Sequence, residues 1–240
     1  MVDLSGQSSV FSALSFDPAK HRPEEKMLIV IAKVPATLPP DLNVSEGESD
    51  KSKKFLKEED KRAYLYRHHL LRTWLSHWLN IPPVALPFEV NPFGKPFISA
   101  SEIQFNMSRS QDTLAFIFAP VMAGIDIELL RDPKPFLPIA KRFFHPAEQD
   151  MILNEIDFFD IWTRKEAVLK AQGIGLFDGL AAVDCSKNTL RLLGHDYVLH
   201  TFKTTTNVIS AAFENRDIPL EIYSEGDTCV GPEKLPRFKQ

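Results

Sequence analysis

The first sustained apolar run, Met27 to Val34, is closed by Pro35 and Pro39-Pro40 and predicts a strand. The polar, acidic stretch from Asp41 to Asp50 reads as a surface loop, with Ser49 or Asp50 placed to cap the next element. From Lys53 to Asn80 apolar residues such as Leu71, Trp74, Leu75 and Trp78 recur at spacings of three and four. That spacing predicts one long helix, or two in series, stopped by Pro82-Pro83. The period then shortens to that of strands at Pro96 to Ser99, Ile103 to Met107, Thr113 to Ala119 and Ala123 to Leu129. A helical pattern returns from Phe136 to Phe144. His145-Pro146 breaks it, with Pro146 as the first residue of a new helix and Glu148 in its first turn. A further helix runs from about Phe158 to Gln172 and stops at Gly173-Ile174-Gly175. Strands are expected last at Leu180 to Asp184, Tyr197 to Lys203, Val208 to Phe213 and Leu220 to Tyr223. Strand, helix, strands, then helices and strands again, predicts an α+β fold of two similar halves meeting near residues 120 to 124, without a literal sequence repeat.

Composition narrows this picture only in part. The 240 residues, 44% hydrophobic and 25% charged, suit a globular chain of one large domain or two small ones. A net charge of −4 argues against a basic nucleic-acid binder, and no segment approaches the roughly 20 apolar residues that span a bilayer. Asp3 and the polar Gly6 to Ser9 stretch do not read as a secretory signal. Cys185 and Cys229 lack both a disulfide framework and metal-site spacing. The expectation is a reducing, cytoplasmic setting, with no membrane and no nucleic acid.

Two segments carry candidate chemistry. In Gly124-Ile125-Asp126-Ile127-Glu128-Leu129 the alternation puts Asp126 and Glu128 on one strand face. Their Cα atoms lie about 6.6 Å apart at a strand rise of ~3.3 Å, close enough for both carboxylates to reach one hard cation. The plainer reading is the solvent face of a half-buried strand. On the helix from Phe158 to Lys170, Trp162, Lys165, Glu166 and Leu169 cluster on one side, so Glu166 shares an apolar stripe. Lys170 one turn on makes either an ordinary i,i+4 pair with Glu166 or part of a phosphate site.

The turn Asn91-Pro92-Phe93-Gly94-Lys95-Pro96 and the strand Phe105-Asn106-Met107-Ser108-Arg109-Ser110 supply a lysine, hydroxyls and a guanidinium, the groups that grip phosphate. Alone they are equally consistent with surface charges, and no Walker A spacing is present. His68-His69 and His145 show no ligand spacing and read as solvated or core histidines.

Gly94-Lys95-Pro96, the Phe105 to Ser110 strand, Gly124-Ile125-Asp126-Ile127-Glu128, Arg142-Phe143-Phe144 with Glu148, and Trp162-Thr163-Arg164-Lys165-Glu166-Ala167 through Lys170 to Leu176 occur in one order and spacing. Together they resemble the large, pseudo-dimeric 4′-phosphopantetheinyl transferases of the surfactin synthetase-activating type. The resemblance runs from about Lys51 to Phe213. It implies two half-domains in pseudo-twofold relation, residues 1–121 and 122–224, with the active site in the cleft between them and a polar tail at 225–240. The implied reaction is Mg²⁺-dependent transfer of the phosphopantetheine arm of coenzyme A to a serine of an acyl or peptidyl carrier protein, with adenosine 3′,5′-bisphosphate released.

By position, the resemblance makes Asp126, Glu128 and Glu166 metal ligands. It makes Lys51, Gly94, Lys95, Asn106, Met107, Ser108, Arg109 and Lys170 contacts to coenzyme A. Glu166, Glu148 or a metal-bound water would take the serine proton, Glu166 being favoured, and Lys170 would stabilise the departing phosphate. Mn²⁺ could replace Mg²⁺ on ligand type. Arg109 stands where the family usually has histidine, which keeps the charge at every accessible pH. Two rival readings remain open: a Mg²⁺-dependent nucleotide phosphohydrolase, and a non-catalytic module that binds coenzyme A or a carrier protein. Lys141 and Arg142 beside Phe143 and Phe144 could meet an acidic carrier helix, or could belong to an ordinary amphipathic helix. With both halves in one chain, a monomer is expected.

Overall fold

A computed structural model describes residues 16–130, 136–175, 178–214 and 217–224. The expected tail at 225–240, Cys229 and Leu176 lie outside these residues. Ten strands and five α-helices are described: β1 (Met27–Lys33), α1 (Glu46–Ser52), α2 (Glu58–Leu79), β2 (Glu89–Val90), β3 (Pro96–Phe97), β4 (Gln104–Ser110), β5 (Thr113–Ala119), β6 (Ala123–Leu129), α3 (Phe136–Phe143), α4 (Pro146–Gln149), α5 (Glu155–Gln172), β7 (Thr189–Leu192), β8 (His195–Lys203), β9 (Asn207–Glu214) and β10 (Leu220–Ser224).

The strands form two four-stranded sheets, β10-β1-β5-β4 and β6-β9-β8-β7, plus the small β2-β3 hairpin. Alternation along β1 explains why its sequence is almost continuously apolar. Met27, Ile29 and Ile31 face a core shared with Ile125 and Ile127 of β6 and Ile209 and Ala211 of β9. Leu28 and Val30 face the other way, onto Leu71, Trp74, Leu75 and Trp78 of α2. A strand buried on both faces has no polar face to show. On the far side of the second sheet, Ala167, Val168 and Ala171 of α5 pack on Tyr197, Leu199 and Ala212. The layers are therefore α2, first sheet, second sheet, α5, the mixed α+β architecture expected.

Both sheets are wound alike. A first strand leads through a helix to an antiparallel hairpin whose second arm pairs with that first strand, giving β1-β5-β4 and β6-β9-β8. β10, although it lies within 122–224, runs parallel to β1 and belongs by pairing to the first sheet, with Met27 opposite Leu220 and Ile29 opposite Ile222.

Three local expectations are corrected. The stretch expected as loop holds α1, capped by Ser45, whose side chain accepts from Glu48 N while Glu48 reaches back to Ser45 N. The Ser45-x-x-Glu48 capping box was readable in the sequence. Residues 180–184 are not a strand; a 3₁₀ turn, Asp178–Ala182, lies there. The Lys165 ammonium binds Leu180 O and Val183 O at 3.1 and 2.6 Å, taking carbonyls that a ladder would need. Finally, β7 was not foreseen. It pairs with β8 across a turn in which Leu193 and Gly194 both have positive φ, 48° and 89°, the geometry of a tight hairpin.

Candidate functional site

β6 and α5 meet where Gly124 faces the helix. A Cβ there would collide with Ala167 O and Ala171 N and would lie 2.8 Å from the carbonyl carbon of Lys170. Only hydrogen permits this approach, and it brings the end of α5 down onto the acidic face of β6. Gly124→Ala is expected to push the two elements apart, costing about 1–3 kcal/mol or more as overpacking does. Chemical denaturation measures that loss.

On that face Asp126 is buried at 4% exposure, which rules out the solvent-face reading for this residue. Its Oδ1 accepts from Lys170 Nζ at 2.6 Å and from Ser108 Oγ at 2.7 Å, and Lys170 Nζ also lies 3.0 Å from Ser108 Oγ. One carboxylate oxygen thus ties β4, β6 and α5 together. Lys170 makes its close ion pair with Asp126 rather than serving as a simple helix-surface partner of Glu166. Glu166 is half-buried, and its carboxyl is pushed above the usual range by burial and by the Asp126 carboxylate, with Lys170 opposing. Like charges held this close favour protonation or a shared cation. Glu128 is half-buried one strand repeat along from Asp126.

The fit to a metal rests on these groups. Asp126 Oδ2 is buried without a hydrogen-bond partner among the described residues, and Glu166 pays for the nearness of a second carboxylate. Both are what a hard divalent cation would relieve. Among the described residues no three carboxylate, His or Cys side chains already stand grouped as a complete cage.

The remaining expected residues divide. Gly94 has φ 87° in the turn, and Asn91 of that turn donates through Nδ2 to Gly173 O at 2.7 Å. Lys95 reaches across to Ala171 O at 3.0 Å and Ala123 O at 3.2 Å, at the C-terminal end of α5, and burial pushes its ammonium down to about 8. Arg109 pairs with Asp60 of α2 at 2.5 Å. It also helps to lower the neighbouring Arg67 guanidinium, whose main burden is burial. Lys51 is exposed on α1, its Nζ 5.7 Å from the Tyr64 ring centroid. Asn106 is buried and its Oδ1 accepts from Ile125 N at 3.0 Å. Met107, on the opposite strand face, packs against the α2 cluster.

Glu148 is corrected. It is wholly buried and forms an ion pair with the equally buried Lys165 at 2.8 Å. Its oxygens also accept from His145 N and Cys185 N, both at 2.6 Å. A carboxylate so saturated holds α4, α5 and the 180–185 turn together and is no base for a substrate. The same geometry changes the reading of the α5 motif. Arg164 is also buried and donates to Cys185 O at 2.6 Å and to Lys187 O at 2.5 Å. Neighbouring positions on one helix therefore serve opposite ends: Arg164 and Lys165 anchor a loop, while Glu166 and Lys170 face β6. Among the histidines, His68 is pushed down to about 4, chiefly by burial, His69 Nδ1 accepts from Asn43 N, and His145 caps α4.

Residues 122–215 match the profile of the 4′-phosphopantetheinyl transferase superfamily, and the chain resembles that family as its motifs implied. Among its relatives are the 4′-phosphopantetheinyl transferase HetI of Nostoc sp., 33% identical over 144 residues that cover 55% of this chain and 61% of that protein. Another is the 4′-phosphopantetheinyl transferase gsp of Aneurinibacillus migulanus, 30% identical over 61% of this chain and 63% of its own length. The 4′-phosphopantetheinyl transferase Sfp of Bacillus subtilis is 31% identical over 55% and 62% respectively. The chain thus spans about three fifths of the length of these curated relatives.

Proposed function

We propose that this protein transfers the 4′-phosphopantetheine arm of coenzyme A to a serine hydroxyl of an acyl or peptidyl carrier protein. The observation that carries the reading is the Asp126, Ser108 and Lys170 contact with Glu166 beside it, formed where the two sheets meet, in a chain whose residues 122–215 match that superfamily's profile. The like winding of the two sheets supports two half-domains sharing one site, neither active alone. It also supports a monomer, since no second subunit is needed to build the cleft.

In this reading the serine oxygen forms a bond to the phosphorus that bears the pantetheine arm. The pyrophosphate bond breaks and its electron pair leaves on adenosine 3′,5′-bisphosphate. Glu166 takes the serine proton, directly or through a water. Lys170 stabilises the departing phosphate. Lys51, Gly94, Lys95, Ser108 and Arg109 hold the nucleotide and its phosphates, with Arg109 exchanging Asp60 for phosphate. Asp126, Glu128 and Glu166 would hold Mg²⁺ or Mn²⁺, which when bound would neutralise charge on the pyrophosphate.

The test is mass spectrometry of apo carrier proteins incubated with coenzyme A and Mg²⁺. Gain of the phosphopantetheine mass is expected. Coenzyme A cleavage without carrier would point to a phosphohydrolase instead, and calorimetric binding without either reaction to a non-catalytic module.

Carrier docking is assigned to α3. Lys141 and Arg142 are exposed, as are Leu137 and Ile139, while Phe144 is fully buried. A basic, partly apolar helix suits an acidic partner. Exchanging Lys141 and Arg142 for Glu should raise the KM for carrier protein about tenfold or more, the size of a like-charge penalty, and leave that for coenzyme A alone. Equal effects on both would sink the assignment.

A further inference from the structure

β4 and β6 are edge strands of different sheets: β4 pairs with β5 and β6 with β9, and they share no backbone ladder. The outward N–H groups of such an edge require acceptors when buried. Here side chains supply them. Asn106 Oδ1 accepts from Ile125 N at 3.0 Å, and Ser110 Oγ accepts from Leu129 N at 2.9 Å. Both bonds join residues 19 apart in sequence, so the two strands run in the same direction and in step. Asn106, Ser108 and Ser110 alternate onto one face of β4. The outer two bind β6 backbone, and the middle one binds the Asp126 carboxylate itself.

We propose that Asn106 and Ser110 are positioning residues: their side chains substitute for a backbone ladder, set the register of β6 against β4, and so deliver Asp126 to Ser108 and Lys170. The proposal rests on the reading of Asp126 as a cation-binding carboxylate of the transfer site. Register is what these two bonds control most directly. A slip of one residue along a strand turns every side chain to the other face, which would carry Asp126 into the apolar core between the sheets. Asn106 in particular acts here through β6 rather than by touching the nucleotide.

The experiment compares the full-length wild type with Asn106→Ala, Ser110→Ala, their combination and Ser110→Thr, which keeps the hydroxyl acceptor. Three quantities are read: kcat and KM for coenzyme A, Mn²⁺ affinity by calorimetry without coenzyme A, and the fraction folded at the assay temperature. The combined variant is expected to lose about 10- to 100-fold in kcat per folded molecule, the scale of a misplacement of about 1 Å. Its Mn²⁺ affinity should weaken in parallel while KM for coenzyme A moves less than about threefold. Ser110→Thr should restore both. An unchanged Mn²⁺ affinity, or an effect confined to KM for coenzyme A, overturns the proposal, the second outcome making Asn106 a nucleotide contact. Should Asn106→Ala fail to fold, the Ser110→Ala and Ser110→Thr pair decides alone. If the wild type transfers nothing, the proposed function fails, and the Mn²⁺ titration still tests the positioning role.

Discussion

Asp126→Asn is expected to abolish phosphopantetheine transfer, by about 10³-fold or more, a loss of at least ~4 kcal/mol of transition-state stabilisation. Asparagine keeps the shape of the side chain and an oxygen to accept from Ser108 and Lys170, the two donors on Oδ1. It removes the charge and the unpartnered second oxygen, which are what a cation would use. The thermal midpoint should therefore move by only a few degrees, since Lys170 is 28% exposed and its side of the ion pair is partly screened. Added Mg²⁺ that stabilises the wild type should not stabilise the variant. Transfer within tenfold of wild type would falsify the metal assignment.

The largest loss of stability belongs to Glu148→Ala. Glu148 and Lys165 are both fully buried and paired, and removing one partner strands the other charge in the interior, at a cost of about 3–5 kcal/mol. Two backbone donors, His145 N and Cys185 N, lose their acceptor as well. At about 2–4 °C per kcal/mol for a chain of this size, the melting midpoint should fall by roughly 6–20 °C. Replacing both charges together, Glu148→Leu with Lys165→Met, should recover much of this, because the buried charge is then gone from both sides. Activity per folded molecule at low temperature separates this role from catalysis. Were Glu148 the base, Glu148→Gln would remove turnover while leaving the protein folded.

Much of the site was legible because it lies in short-period patterns. The alternation of β6 put Asp126 and Glu128 on one face, and the helical spacing of α5 put Glu166 one turn before Lys170. Pro146, Gly173 and the tight bounds of β5 and β6 likewise follow from local chemistry that needs no partner. The roles of Glu148, Arg164 and Lys165 were not legible, because a charge beside aromatics on a helix does not say which distant backbone will meet it. Apart from the Glu148–Lys165 pair, His145 N and the Thr201 and Asn188 side chains, their partners are carbonyls and amides of 180–187, and no spacing rule predicts a contact to main chain of arbitrary sequence. The missed strand β7 and the missed helix α1 differ from these. Their signals, Leu193-Gly194 and the Ser45 capping box, were present in the residues.

By itself, the amino-acid sequence determined most of the strands and helices, the α+β class, and the set of carboxylates and lysines that resemble a phosphopantetheinyl transferase. Those properties depend on neighbours within a turn or two. Tertiary structure alone decided that β10 returns to the first sheet, that Gly124 is small because α5 rests on it, and that side chains of β4 stand in for a ladder to β6. It also separated Asp126, which meets Lys170 and Ser108, from Glu148, which meets Lys165. The physical reason is that burial and pairing are set by chain segments tens of residues apart, and a buried carboxylate is a ligand or a strut according to which cation the fold places beside it.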